Sequence, residues 1–374
     1  MEPLLSLLSD LVRIPSMNPM GRTRSGAAYT EEALAEYVKA YAQKAGMDVE
    51  MYPVAPHRPN VIARVEAGAG QTVMLEAHLD TVHADAMTIS PFEPVVRDGR
   101  LYGRGACDTK GSLAAFLYAV TSLLADGTKL RYNVLLAAVA DEEYQFTGAC
   151  EAVARGLRAD FGIAGEPTGL RIVRAHKGVT RWRLRTRGKA AHSAYPERGE
   201  NAIYRMGKIL IRLDAYASGL QQAVPHPVLG PPTLSVGVIE GGQAVNIVPD
   251  SCTIEIDRRT LPGETRDDVL IPVERLLGDM DGWSMDEPHL SVEGMDVPGD
   301  APIVRLLQDA IAAEQIRPVV EGAHYATDAG TYNGAGIPTV VFGPGDISRA
   351  HTAEEYLEIE QLQAAVRIIR RMLT

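Results

Sequence analysis

The sequence predicts an α/β fold: one domain built on a mixed sheet flanked by helices, with a smaller α+β (ferredoxin-like) domain inserted into it. Three observations predict it. Apolar strand-length runs alternate with helical patterns through the first part of the chain, which favours a sheet with helices on both faces. The run YNVLLAAVA is almost wholly apolar, as a strand covered on both faces must be. Near Lys177 the texture changes to VTRWRLRTR, where apolar and polar residues alternate, and from about Ala301 the α/β texture returns.

The elements follow in order. MEPLLSLLSDLVRIPS reads as an amphipathic helix; charges interrupt it early and no basic leader precedes it, so a secretory signal is not expected. A helix is expected over 30–45, with Thr30 as N-cap and Gly46 as stop. Strands are expected over 60–65, 73–77, 132–140 and 161–164, with an Ala/Leu-rich helix over 109–124 between them. In the inserted domain, strands are expected over 179–187, 233–239 and 252–257, and helices over 201–215 and 265–277. This β-α-β-β-α order suits an antiparallel α+β domain. After Ala301 come a helix, a strand over 339–342 and a closing helix from Ile359. The expected boundaries are 1–176 and 291–374 for the first domain and 177–290 for the insertion.

Bulk properties narrow the function. A chain of 374 residues suits two domains. A net charge of −11 with no clustered Lys/Arg run argues against a nucleic-acid partner and against anionic membranes. No stretch is long and apolar enough to span a bilayer. The three cysteines, Cys107, Cys150 and Cys252, form no CxxC pair. Neither a disulfide framework nor a thiolate zinc site is expected, and a reducing cytoplasm fits.

The strongest chemical signal is a set of His, Asp and Glu residues where strands end. His78-Leu79-Asp80 follows an apolar run. Side chains two apart on an extended chain point the same way, so Asp80 is expected to accept a hydrogen bond from one nitrogen of His78 and leave the other for a metal. Alone, such a pair is an ordinary loop feature. Asp108, in GRGACDTKG, is either a plain helix cap or a carboxylate bridging two ions. Nucleotide binding there is disfavoured: Gly103-Arg104-Gly105 lacks the third glycine, and no Walker motif is present. Asp141-Glu142-Glu143 follows the apolar strand directly, and three acids at a buried strand end repel one another unless cations or protons compensate. Glu166 ends another strand in GEPT, and His351 follows Gly343-Pro344-Gly345. Oxygen and imidazole donors without thiolate suit Zn²⁺, Co²⁺ or Mn²⁺ in a hydrolytic site.

HLD, GRGACDTKG, DEE, GEPT and the late GPGxxxxAH together, in this order and spacing, resemble one family: acetylornithine deacetylases, succinyl-diaminopimelate desuccinylases and zinc carboxypeptidases of the glutamate-releasing type. The resemblance covers essentially the whole chain and implies a two-metal amidohydrolase holding two divalent ions, zinc or cobalt. Asp108 would bridge both ions, with His78 and Glu166 on one and Glu143 and His351 on the other. Glu142 would be the general base and Asp80 would support His78. The inserted domain would be a lid that also forms a homodimer contact. In AAHSAYPERGENAI, His192 would reach over the neighbouring subunit's site and stabilise the oxyanion. GGQAVNIVPD and DRRTLPG resemble segments in which Asn246 and Arg259 contact substrate. The fork of Arg259 suits a substrate carboxylate. For His192 and Arg259 the plain alternatives are a surface histidine and an ordinary salt bridge.

RAHKG, RGENAI and GPGDISRAHTAEEYLEI look most like acetylornithine deacetylase, which releases acetate and ornithine from N2-acetylornithine in arginine synthesis. ATDAGTYNGAGIP looks more like the wider family. The implied substrate is a small N-acyl amino acid or short peptide. A dipeptidase, carboxypeptidase or desuccinylase on the same site is the alternative. A non-catalytic metal-binding homologue is disfavoured because His78, Asp108, Glu142, Glu143, Glu166 and His351 are all present.

Overall fold

The computed structural model describes residues 2–374, which divide into two compact units. The first comprises the chain up to Arg174 together with Val297–Glu321 and Thr327–Thr374; the second comprises Ala175–Asp296 with Gly322–Ala326.

In the first unit, strands lie side by side in the order Asp48–Ala55, Arg58–Val65, Asn133–Val139, Thr72–His78, Phe161–Ala164, Thr339–Val341, Ile172–His176. The sheet is mixed, as expected: Asp48–Ala55 and Arg58–Val65 run antiparallel, while Asn133–Val139, Thr72–His78, Phe161–Ala164 and Thr339–Val341 run parallel. Alternation along each strand feeds two cores. In Asn133–Val139, Val134, Leu136 and Ala138 join the large core that also holds the helices Glu2–Arg13, Lys110–Ala125, Pro302–Ala313 and Ile359–Leu373. Leu135, Ala137 and Val139 face the smaller core, with Ala149, Ala152 and Tyr332 from the helices Thr147–Ala154 and Ala329–Gly334. Burial on both faces explains the unbroken apolar runs.

Parallel strands end at a common edge, and in open α/β sheets that edge is where functional groups gather. Here Thr72–His78 ends on His78, Asn133–Val139 runs into Asp141-Glu142-Glu143, and Phe161–Ala164 runs into Glu166. The helix after Asp108 runs Lys110–Ala125 and takes Thr109, not Asp108, at its N-cap position.

Local departures have local causes. The helix expected over 30–45 runs Glu32–Lys44, and Thr30 does not cap it. Thr30 Oγ1 donates instead to the Ala27 carbonyl at 3.1 Å, and Glu31 at the cap position gives its carboxylate to Arg58. Gly46, at φ +86°, stops the helix as expected. Strand Asp48–Ala55 was not expected; it is the half-exposed edge of a hairpin, so its apolar signal is weak.

The second unit is an antiparallel sheet in the order Thr233–Gly241, Ser251–Thr260, Gly178–Arg187, Trp283–Met285, with Leu290–Val292 also on Gly178–Arg187. Its helices are Ala202–Leu220, capped by Asn201, and Arg266–Leu277, started by a Thr265/Asp268 capping box. The β-α-β-β-α-β order is that of a ferredoxin-like domain. One sheet face packs Trp182, Leu184, Ile254 and Ile256 against Met206, Ile209, Val269 and Val273. The other face carries cross-strand ion pairs, Arg181 with Asp257 and Arg183 with Glu255, and Arg185 pairs with Asp286 just past the strand Trp283–Met285.

Close packing behind the strand ends is testable at Gly165. A Cβ there would lie 2.7 Å from Phe116 Cε2 and from Ser112 Cβ, and 3.0 Å from the Glu76 carbonyl oxygen. Gly165→Ala is expected to cost about 1–3 kcal/mol through overpacking. A urea-unfolding midpoint equal to wild type would show that the helix and strand give way freely.

Candidate metal centre

The strand-end residues of the first unit converge. His78 Nε2 lies 3.0 Å from Asp108 Oδ1 and 3.7 Å from Glu166 Oε1. His351 Nε2 lies 3.2 Å from the other Asp108 oxygen, Oδ2, and 3.2 Å from Glu143 Oε1. Asp108 therefore presents one oxygen to each imidazole. Potential donor atoms of His78, Glu142 and Glu166 lie within 4.8 Å of one another, as do those of His78, Asp108 and Glu143. His78, Asp108 and Glu166 are buried, and His351 is half-exposed.

Burying so many carboxylates has electrostatic consequences. Burial, then the nearby Glu166 charge, pushes Glu142 well above the usual carboxylate range. Glu166 is raised likewise by burial and by Asp108, and Glu143 by burial and by Asp108. Asp108 is the exception. Burial works against its charge, but hydrogen bonds from His351 and His78 hold it below the ordinary range. Burial works against charge on His351 too, yet its bonds to Asp108 and Glu143 push it up to about 11. His78 is raised in the same way, chiefly by Asp108 against burial. This donor set has an excess of buried negative charge and contains only oxygen and imidazole, which fits divalent cations. The groups whose donor atoms lie close enough to share an ion are His78, Glu142 and Glu166, and His78, Asp108 and Glu143.

Asp80 departs from expectation. His78 Nδ1 lies 2.9 Å from the backbone carbonyl of Asp80 and 3.6 Å from its carboxylate. The strand ends at His78, so the two-residue alternation does not continue to Asp80. The Asp80 carboxylate instead accepts the backbone N–H groups of Glu142 and Glu143, each at 3.1 Å. It thus fixes the turn carrying both glutamates, while its carbonyl orients the imidazole.

Asn18, which sequence reasoning missed, extends this network. It is fully buried, and its amide donates at 2.8 Å to Asp80 and at 2.8 Å to Asp141. Arg58 closes the far side, donating to Asp141 at 2.8 Å and pairing with Glu31. The only hint in the sequence is the Asn-Pro step in PSMNP, because the partners lie 62 and 123 residues away.

The remaining predicted residues lie in the second unit. His192 is exposed on the short strand Ala191–His192, paired with Ile247, and the next amide, Ser193, donates to the Asn246 carbonyl at 3.0 Å. His192 and Asn246 are thereby brought together. Arg259 donates from Nε to Asp257 at 2.8 Å. Its fork is therefore engaged, although Asp257 also accepts from Arg181 at 2.7 Å and would keep a cation if Arg259 turned to another carboxylate.

With this geometry in view, the chain belongs to the peptidase family M20/M25/M40, whose model matches residues 74–374. It is a hydrolase of that family, a metal-dependent peptidase or amidohydrolase. Among its relatives, an acetylornithine deacetylase of Myxococcus xanthus is 34% identical over 356 residues, covering 90% of each chain. One from Klebsiella pneumoniae is 32% identical and covers 100% of this chain and 97% of its own. The fold is shared with an M20 family metallo-carboxypeptidase from Sulfolobus solfataricus (TM-score 0.81, 20% identity, 100% of this chain and 98% of that one). It is also shared with a tripeptidase from Staphylococcus aureus (TM-score 0.80, 21% identity, 100% and 97%).

The imidazole pairing makes metal loading pH-dependent. His351, raised to about 11, carries a proton at neutral pH in the metal-free protein. Its folded value lies above the unfolded value of about 6.5, so this pairing stabilises the metal-free fold fully below that point and is lost as pH rises through about 11. A cation that binds through His351 must displace its proton. Titration calorimetry in buffers of different ionisation enthalpy should show net proton release on metal binding, with affinity rising with pH. Heats independent of buffer would contradict the pairing.

Proposed function

We propose that the protein is a two-zinc deacylase that hydrolyses the amide of a small N-acyl amino acid, with N2-acetylornithine as its substrate and acetate and ornithine as products. The observation that carries the two-ion reading is Asp108, whose two oxygens face different imidazoles. The substrate assignment rests on relatives named acetylornithine deacetylase at 32–34% identity over 90–100% of this chain. It would place the enzyme in arginine synthesis. Cobalt suits the same donors.

Zinc ions held by His78, Asp108, Glu143, Glu166 and His351 would supply Lewis acidity and make water acidic at neutral pH. Glu142 takes the proton of the attacking water. As the new C–O bond forms and the C–N bond breaks, Glu142 returns that proton to the leaving amine. Asp80 and Asn18 keep Glu142 and Glu143 in register through the backbone of their turn. His192 donates to the oxyanion, and Asn246 and Arg259 bind the substrate, Arg259 taking its carboxylate.

We read the second unit as a lid and as the contact of a homodimer. Strand Thr233–Gly241 is an exposed sheet edge, and Val238, Ile239, Tyr204, Ile211 and Val245 are exposed apolar residues of the same unit. A groove of about 890 Å³ includes two of them, Tyr204 and Val245, with Gly242 and Ile247 in its lining. The three free cysteines fit a reducing compartment, the cytoplasm.

Four measurements check this. A screen of N-acetyl, N-succinyl and dipeptide substrates with added Zn²⁺ or Co²⁺ should show acetylornithine turned over fastest. Turnover of dipeptides or succinyl substrates with none of acetylornithine would replace the deacetylase reading. Glu142→Ala should lower kcat by about 10²–10⁴-fold while retaining bound metal; loss of metal as well would make Glu142 a ligand. His192→Ala should lower kcat by about 10²–10³-fold with little change in KM. Mixed dimers of the two variants recover activity only if the histidine acts across subunits.

A further inference from the structure

One buried ion pair near the metal centre has no part in the chemistry described so far. Glu355 and Arg104 are almost fully buried, and Arg104 Nη1 meets Glu355 Oε2 at 2.5 Å. The other Glu355 oxygen accepts two consecutive backbone N–H groups, Cys107 at 2.9 Å and Asp108 at 3.0 Å. The Glu355 carbonyl accepts a third, from Gly103 at 3.0 Å. Arg104 Nη2 donates to the His83 carbonyl at 3.0 Å and to the Thr352 carbonyl at 3.5 Å.

The pair therefore joins three loops. One follows His78 and Asp80, one carries Asp108, and one carries His351, which is bonded directly to Thr352. A buried ion pair is weak evidence for stability, since apolar residues of the same size often serve as well. Here both members also bond to backbone groups that flank the metal-type donors: Glu355 to the Cys107 and Asp108 amides, and Arg104 to the His83 and Thr352 carbonyls. Glu355 fixes the Asp108 backbone, while Arg104 holds the His83 carbonyl and reaches the Thr352 carbonyl next to His351.

We propose that Arg104 and Glu355 are positioning residues that set the spacing between Asp108 and His351, and so govern affinity for the ion held by Asp108, Glu143 and His351 more than for the ion held by His78, Asp108 and Glu166. The inference rests on the two-ion reading above. Neither residue touches a donor atom of the site. Their effect runs through the Asp108 amide and the Thr352 carbonyl.

The test is stepwise zinc binding to the metal-free protein, measured by competition with a chromophoric chelator, for wild type, Glu355→Gln, Glu355→Ala and Arg104→Lys. Val273→Ala, a core change in the second unit, is the stability-only control. Glu355→Gln keeps an oxygen for the two amides but loses the pairing with Arg104. The second ion should weaken about 10-fold in Glu355→Gln and Arg104→Lys and about 100-fold in Glu355→Ala, with the first ion changed much less. Val273→Ala should lower Tm without altering either step. Equal weakening of both ions, unchanged affinities, or loss of the fold in both Glu355→Gln and Arg104→Lys would overturn the proposal, because each makes the pair a general structural element. If wild type binds fewer than two ions, the two-ion reading fails first; two ions in wild type with unaltered variants defeats this inference alone.

Discussion

The structure turns on the burial of Asp108, Glu142, Glu143 and Glu166 around two imidazoles. Like charges this close in an apolar setting cannot all ionise without positive charge among them. His351, raised to about 11, supplies part of it, and His78 and His351 each face their own oxygen of Asp108. Divalent cations between the same atoms answer the same demand more fully, and the absence of sulfur from the donor set matches a hydrolytic site.

The sheet makes that concentration of charge possible. Parallel strands deliver His78, the Glu142-Glu143 turn and Glu166 to one edge, and both sheet faces are sealed by apolar cores. Rigidity then comes from hydrogen bonds reaching back from the donors. The Asp80 carboxylate holds two amides of the acidic turn, its carbonyl holds His78, and Asn18 ties Asp80 to Asp141. Donors held this way stay near their working geometry before any ion binds, which keeps the reorganisation needed on loading small.

Much of this was legible in the sequence. The fully apolar strands announced themselves because burial on both faces leaves no polar position, and the acids that follow them stood out against that background. The two-residue alternation in VTRWRLRTR separated the second unit from the first. The ordered motifs brought Asp108 and His351, 243 residues apart, into one site through resemblance; periodicity alone would not have paired them. What stayed hidden were long-range polar contacts. Asn18 and Glu355 look like ordinary loop residues until their partners are seen. Asp80 was expected to use its carboxylate on His78, but the chain leaves the strand at that point and the backbone carbonyl takes the bond. Thr30 illustrates a local rule overridden by tertiary structure, since Arg58 draws Glu31 inward and the hydroxyl turns back to Ala27.

Metal stoichiometry tests the proposed bridging role of Asp108 most directly. Equilibrium dialysis of metal-free protein against Zn²⁺, with bound metal counted by mass spectrometry, should find two ions per chain in wild type and at most one in Asp108→Ala. An Asp108→Ala protein that still binds two ions with wild-type affinity would contradict it.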